Sequence, residues 1–537
     1  MKIFLKEETT NLLRDEKFLN SWDQLLSLCP WATVFQSKTF VLTWYAYYKE
    51  FTPIVLTDWD GHNLKGIITL TIDRNGTITA AGTNQAEYQV WLSTAENSHA
   101  ILEESIGLLK KHFPRRTIDL KYLPPNTPIK QFEVSTKWKK NLFIKSYLQP
   151  LMASNEELLT RELKKKNRKE KINRLKRKGN LEFEIITKKE AFISIIDEMI
   201  IQSDFRKGAM YDKVAFQQEP QRKEFLIRLF ELGLLHVSIL RLNEEIIASN
   251  AGIIGIDMIH LQGINSHSPI YAKYSPGILH FLMLGIELKN TGKSFFDLTP
   301  GGAKGYKEML ATTFQEAFEL EIYSGLDNFL ATKKEFLKNK IKNVLDKFPE
   351  YQDKPNLIAH YFQNIQKKSS LLFKKGFEIF NYEGLNKVFS KHSKKYIQLG
   401  SVKRVNLSDR FQIQKNNLQD LMIFEESNGI ISRWEFLYDC MKRLEIEHQF
   451  YCLISENALC AVLWYIPIEA KSGEFSSSNK KNFDHPTLAF SYYQPHHLPE
   501  TIGFLFSVID QIKEPLPIQF QFSGQQKKLK NYLNQKL

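Results

Sequence analysis

The segment 274–310, YSPGILHFLMLGIELKNTGKSFFDLTPGGAKGYKEML, constrains the fold more than any other stretch of this chain. It reads as helix, short strand, glycine turn. Ser275 offers a hydroxyl to free helical N–H groups, and Pro276 suits the first helical position because it lacks an N–H and its φ is already helical. Residues 278–286 are an apolar run, Asn290 and Gly292 supply the stop, and 294–298 form a strand containing Asp297. Pro300-Gly301-Gly302 and Tyr306-Lys307 follow. A helix N-terminus carries uncovered N–H groups and about half a positive charge, so this segment predicts a ligand site that holds phosphate.

The same order of elements recurs. In residues 1–150, two helices within 18–49 precede a hairpin at 54–72 that turns at Asp60-Gly61, a strand at 87–92, a helix at 95–112 and a strand at 117–123. In 151–325, a strand at 181–187 and helices at 189–204 and 220–232 precede a hairpin at 235–255, a strand at 258–264, the segment above and a strand at 314–323. In 399–537, helices at 417–427 and 433–445 precede a hairpin at 450–466 turning at Glu456-Asn457, a strand at 488–492, a helix at 499–512 and a strand at 518–522. This predicts an α/β (α+β) chain of three mixed-sheet units in tandem, at 1–150, 151–325 and 399–537. A helical connector is expected at 326–398, where Leu330, Leu337, Ile341, Val344 and Phe348 recur on one helical stripe among lysines.

Tyr-Ser-Pro-Gly opening a helix, the Phe-Asp-Leu strand and the Gly-Gly…Tyr-Lys turn resemble the BioF/CelD-like branch of the GNAT acyltransferases, which is related to the FemABX aminoacyltransferases. Val34-Phe35-Gln36-Ser37 with Thr43-Trp44-Tyr45, and the basic run 161–179 leading into a strand, resemble the same family; the likeness covers about residues 20–325. It implies GNAT-like units, the third of them degenerate, and N-acyl transfer from acetyl-CoA or another acyl-CoA to an amine, for example an amino sugar of a cell-surface polysaccharide. The acyl-CoA is then expected against the strand at 258–264, with Gln262, Gly263, Ser275, Pro276 and Gly277 as its binding residues. The segment Pro269-Ile270-Tyr271-Ala272-Lys273 stands where better-known GNAT proteins carry a glycine-rich pyrophosphate loop. Two other classes fit the same stretch: a transferase using aminoacyl-tRNA, and a binding scaffold without catalysis.

The chain carries a net charge of +13, and the run from Arg161 to Lys178 concentrates it, with eleven Lys/Arg against two Glu. Three readings apply to that run: a solvated helix face, a phosphate site at a cleft between the first two units using Lys164, Lys165, Arg168, Lys171 and Arg174, or a surface for a polyanion such as tRNA. The basic connector also suits peripheral membrane contact. The four cysteines form no CxxC pair, the first ten residues are not a signal peptide, and no apolar run approaches the ~18 residues of a spanning helix. A cytoplasmic protein with reduced thiols is expected.

GNAT-type chemistry needs a neutral amine and a polarised thioester carbonyl. Lys307 and Tyr306 are the candidates carried over from the resemblance, beside Gly301 and Gly302, which allow close backbone approach to a ligand. Asp297 at the strand end either orients the attacking amine as a base or caps the N–H groups of Gly301 and Gly302. His260, His267 and Glu321 are further bases by position, although a single histidine on an apolar strand is commonly a satisfied core residue. No metal-ligand spacing, Ser-His-Asp order or phosphate-binding P-loop occurs, so no metal is expected.

Overall fold

The computed structural model describes residues 1–302, 305–324, 395–399, 407–426, 431–468, 485–512, 518–522 and 526–536; the connector expected at 326–398 lies outside the described residues apart from 395–398. The described residues form two compact units. The first comprises Met1–Asp197, Glu219–Ser266 and the chain from Pro276 to residue 324, and the second comprises Glu198–Gln218, His267–Ser275 and the described residues from 395 onward.

The first unit is built on one sheet of thirteen strands: β1 (Lys2–Leu5), β2 (Ile54–Trp59), β3 (Leu64–Ile72), β4 (Ile78–Ala80), β5 (Leu92–Ser93), β6 (Ile118–Leu123), β7 (Leu142–Ala153), β8 (Leu181–Ile186), β9 (Leu235–Leu242), β10 (Glu245–Ile254), β11 (Met258–His267), β12 (Phe295–Asp297) and β13 (Thr313–Ile322). Their order is β1-β2-β3-β4-β6-β13-β7-β12-β11-β10-β9-β8, with β5 on β3. β13, last in sequence, lies between β6 and β7 and pairs antiparallel with both. The boundary expected at 150/151 falls inside β7, so the first two repeats share one sheet. Of the strand expected at 87–92 only Leu92 is in a strand, the first residue of β5; Glu87 and Gln89 instead exchange backbone hydrogen bonds with Tyr122.

Local chemistry fixes the helices that flank this sheet. Asp15 accepts hydrogen bonds from the N–H groups of Lys17 and Phe18, starting a helix at Glu16–Leu28 whose Phe18, Trp22 and Leu25 are buried. Ser37 does the same for Lys38–Tyr47 through the Phe40 N–H. The helix Pro276–Asn290 is apolar on most faces and buries Leu279, Phe281, Leu282, Leu284 and Leu288. It stops at Gly292 (φ 70°), where the N–H groups of Gly292 and Lys293 close on Lys289 and Leu288. β11 and β12 are parallel and paired from Met258 to His260, after which β12 ends while β11 continues to His267.

The second unit has six strands: β14 (Lys395–Leu399), β15 (Phe411–Lys415), β16 (Gln449–Ser455), β17 (Ala458–Ile466), β18 (Thr487–Tyr493) and β19 (Ile518–Phe522), ordered β14-β19-β18-β17-β16-β15. The order β15 to β19 repeats the order β8 to β12, and each series closes with a parallel pair. Glu456 and Asn457 both have positive φ at the β16–β17 turn, as a tight hairpin requires. Phe205, Ala209, Leu437 and Trp464 share its core. All four cysteines are buried and free. Among the described residues no helix is long and apolar enough to cross a membrane.

Gly263 illustrates how tightly β10 and β11 meet. Its φ is 137°, and a Cβ there would lie 2.0 Å from the Ala251 carbonyl oxygen. Gly263→Ala is expected to lower stability by about 2–4 kcal/mol, because backbone rather than a flexible side chain must yield. A denaturation midpoint equal to that of the parent protein would contradict this packing.

Candidate active site

β12 alternates its side chains. Phe296 enters the apolar cluster beneath Pro276–Asn290, and Asp297 points to the other face, fully buried. Asp297 Oδ2 accepts from the Tyr88 hydroxyl at 2.7 Å and lies 2.9 Å from His260 Nδ1, while Oδ1 accepts from the Thr299 N–H at 2.9 Å. Burial alone would push the Asp297 carboxyl up, but the hydrogen bonds from His260, Tyr88 and Thr299 hold it below its ordinary range. The carboxylate therefore stays charged in the interior. It caps the Thr299 N–H and not the N–H groups of Gly301 and Gly302, which were one of the two roles the sequence left open for it.

The turn after Asp297 is conformationally demanding. Thr299, a β-branched residue, has φ 69°, and Gly301, Gly302 and Gly305 are also positive. Lys307 holds the turn: its Nζ donates to the Thr299 carbonyl at 2.9 Å and to Thr299 Oγ1 at 2.8 Å. Burial lowers the pKa of this ammonium, against the pull of Glu87 and Asp297. Gly301 passes so close to Tyr122 that a Cβ would stand 2.9 Å from the phenol oxygen.

Segment 82–91 brings two groups that sequence reasoning missed. The Gln36 side chain donates to the Tyr88 carbonyl, and Phe35 lies 5.1 Å from the His260 ring, so the Val34–Ser37 motif buttresses the Asp297 cluster. Tyr88 meets His260 edge-on at 5.5 Å. Beside it, Glu87 lines a cleft of about 600 Å³ with Gln89, Asp119, Lys121, Tyr122, Glu219 and Gln262. Burial and the neighbouring Asp297 charge push the Glu87 carboxyl up to about 8, although Lys307 and Lys121 draw it down. A glutamate and a tyrosine within the polar-poor run AEYQVWL were the available signal.

The other expected site residues are dispersed. Tyr306 stacks on Phe281 at 6.2 Å, against the apolar cluster. Gln262 lines the cleft and donates to the Asn84 carbonyl. Pro276 and Gly277 open their helix as expected, but Ser275 belongs to the second unit and ends the turn Pro269–Tyr274 in left-handed backbone (φ 53°, ψ 50°), unlike the extended form usual for a helix cap. The basic run is two helices, Glu156–Lys164 and Lys166–Lys178, broken at Lys165. Lys165 and Arg168 pair with Glu162, and Arg174 with Glu170. Lys164 lines a separate surface cavity with Arg161 and Lys289.

Residues 163–308 match the family model of an acetyltransferase (GNAT) domain. The GNAT segment thus contains β8 to β12, His260, Asp297 and Lys307, while Glu87 and Tyr88 lie outside it. No curated protein matches the chain. Solved structures similar to it include a conserved protein of unknown function from Bacteroides thetaiotaomicron (13% identity, 57% of this chain and 97% of that one, TM-score 0.40). L-PGS from Bacillus licheniformis is similar at 10% identity (58% and 95%, TM-score 0.38), and FemX at 10% (58% and 98%, TM-score 0.40).

The raised Glu87 pKa has a stability consequence. In the unfolded chain this carboxyl ionises near its ordinary 4.5, whereas the folded protein keeps the proton to about pH 8. Its contribution to stability is therefore complete below about 4.5 and is lost as pH rises to about 8. Glu87→Gln is expected to flatten the decline in denaturation midpoint between pH 5 and pH 8, and an unaltered slope would contradict the assignment.

Proposed function

We propose that the protein is an N-acyltransferase that takes an acyl group from acetyl-CoA or a related acyl-CoA and delivers it to an amine entering the cleft at Glu87. The observation that carries this reading is the place of Glu87: it lines a polar cleft next to the GNAT segment, beside the Tyr88 that bonds Asp297, where burial and the Asp297 charge push its carboxyl up to about 8. An attacking amine must shed a proton before or as its nitrogen bonds to the thioester carbon, and a base whose pKa lies near the working pH does this well. Glu87 receives that proton, the new C–N bond forms, the C–S bond breaks, and the thiolate leaves.

Asp297 and Lys307 act as positioning residues. Asp297 fixes Tyr88, the neighbour of Glu87, and also the Thr299 turn; Lys307 braces that turn and places positive charge near the developing oxyanion. Gly301 and Gly302 let the backbone come against the donor, whose acyl arm is proposed to lie along β11 at Gln262 with Pro276 and Gly277 beyond. The amino sugar suggested by the sequence resemblance supplies one suitable amine. One observation favours a second donor, aminoacyl-tRNA: the helices Glu156–Lys164 and Lys166–Lys178 bury Leu159 and Leu175 and leave a largely exposed basic face. RNA retained by the purified protein and released by salt would support that donor.

With acetyl-CoA and a panel of amines, kcat/KM is expected to rise with pH through about 8. Glu87→Gln should lower kcat by about 10²–10³-fold. A variant within a few-fold of the parent enzyme, or a profile flat across pH 6–9, would remove Glu87 from the chemistry.

A further inference from the structure

The third repeat keeps the strand order of the second and loses its charged pair. In the parallel pair β11–β12 the third rung joins His260 to Asp297, and in the parallel pair β18–β19 the third rung joins Ala489 to Gln521. A methyl group and a neutral amide stand where the histidine and its buried carboxylate do. The second unit therefore does not repeat the Asp297 cluster at this rung.

Two stretches of the GNAT segment are instead built into that unit, Glu198–Gln218 and His267–Ser275. The first is the C-terminal part of the helix Lys189–Tyr211 with the short helix Ala215–Gln218 after it. Its Phe205, Ala209 and Val214 are buried in one apolar cluster with Phe436, Leu437 and Cys440 of the helix Arg433–Glu445. At Gly208 a Cβ would stand 2.9 Å from Leu437 Cδ1, so the two helices meet closely there. The Arg433 guanidinium donates to Gln217 Oε1 at 2.9 Å.

The second stretch is the turn Pro269–Tyr274 and Ser275, which carries no glycine. Its N–H groups at Tyr271 and Ser275 are already taken by the carbonyls of Ser268 and Ala272. Side chains tie it into the same core: Ile270 packs against the cluster of Leu437 and Cys440, and Lys273 pairs with Glu447, just past the helix Arg433–Glu445. The next residue in the chain is Pro276, the start of the helix assigned to the donor. We infer that the third repeat is a positioning element and not a second catalytic lobe: it clamps the turn 267–275 and so fixes the helix start at Pro276 and Gly277. The clamp stands on its own contacts, and its service to the acyl donor rests on the acyl-transfer reading.

Amide hydrogen exchange of the full chain tests both parts. Leu437→Ala opens the shared cluster, and it should speed exchange at 433–445, 198–218 and 267–275 together, each by at least about tenfold, while β2 and β3 keep the parent rate. Exchange at 267–275 that stays at the parent rate while 433–445 quickens overturns the clamp. Should Leu437→Ala fail to fold, Ile270→Ala tests the same link from the turn, with faster exchange expected at 433–445 and an unchanged rate overturning it. Acetyl-CoA at about 100 times its Kd should slow exchange at 433–445 of the parent protein by about ten- to a hundredfold, because a ligand that needs the clamped turn also opposes its opening. Binding without any slowing at 433–445 overturns the positioning role. A parent protein that takes up no acetyl-CoA overturns the acyl-transfer reading and the positioning role with it, and the exchange of the variants still decides the clamp.

Discussion

A charged carboxylate sealed inside a protein is stable only where hydrogen bonds replace its lost hydration, and Asp297 meets that condition with three donors from three different parts of the chain. Tyr88 comes from the first repeat, His260 from β11 and the Thr299 N–H from the turn after β12. Removing any one of them leaves the buried charge short of a donor. The cluster therefore does more than place one side chain: it fixes the end of β12 against β11 and draws segment 82–91 onto them. Glu87 is where it is because Tyr88 is held.

The same requirement explains why two repeats share one sheet. β7 bonds to β12 on one edge and β13 on the other, and β13 continues to β6, so the chain crosses between the halves twice. Backbone hydrogen bonds thus run without interruption from the Glu87–Tyr122 bridge to the Asp297 strand. With the frame set by the sheet, raising the Glu87 pKa takes only burial and one nearby negative charge, partly offset by two lysines.

Much of the frame was legible in the sequence, because it depends on local signals. The helix start at Pro276, the glycine stop at Gly292 and the Asp60-Gly61 and Glu456-Asn457 hairpins each follow from the backbone freedom or restriction of a few neighbouring residues. Asp297 stood out at a strand end beside glycines. The pairing of β13 between β6 and β7 was not legible, since it joins residues nearly two hundred positions apart, and β7 itself alternates too weakly in FIKSYLQPLMA to announce a strand. Glu87 was missed for a similar reason: its place in the apolar run AEYQVWL hints at a partly buried carboxyl, but its nearness to Asp297 is set by a contact across about two hundred residues. The break at Lys165 was hidden by a run of good helix formers, which favour a continuous helix on propensity alone.

The role of Glu87 as the base depends on one electrostatic property, that its carboxyl keeps its proton near neutrality. Carbon-13 NMR of the carboxyl-labelled protein, with Glu87→Gln to assign the resonance, measures it directly. A titration midpoint near 8 is the predicted result. A midpoint near the ordinary 4.5 would mean that the cleft is open to water at this residue, and would contradict the role of Glu87 as the base.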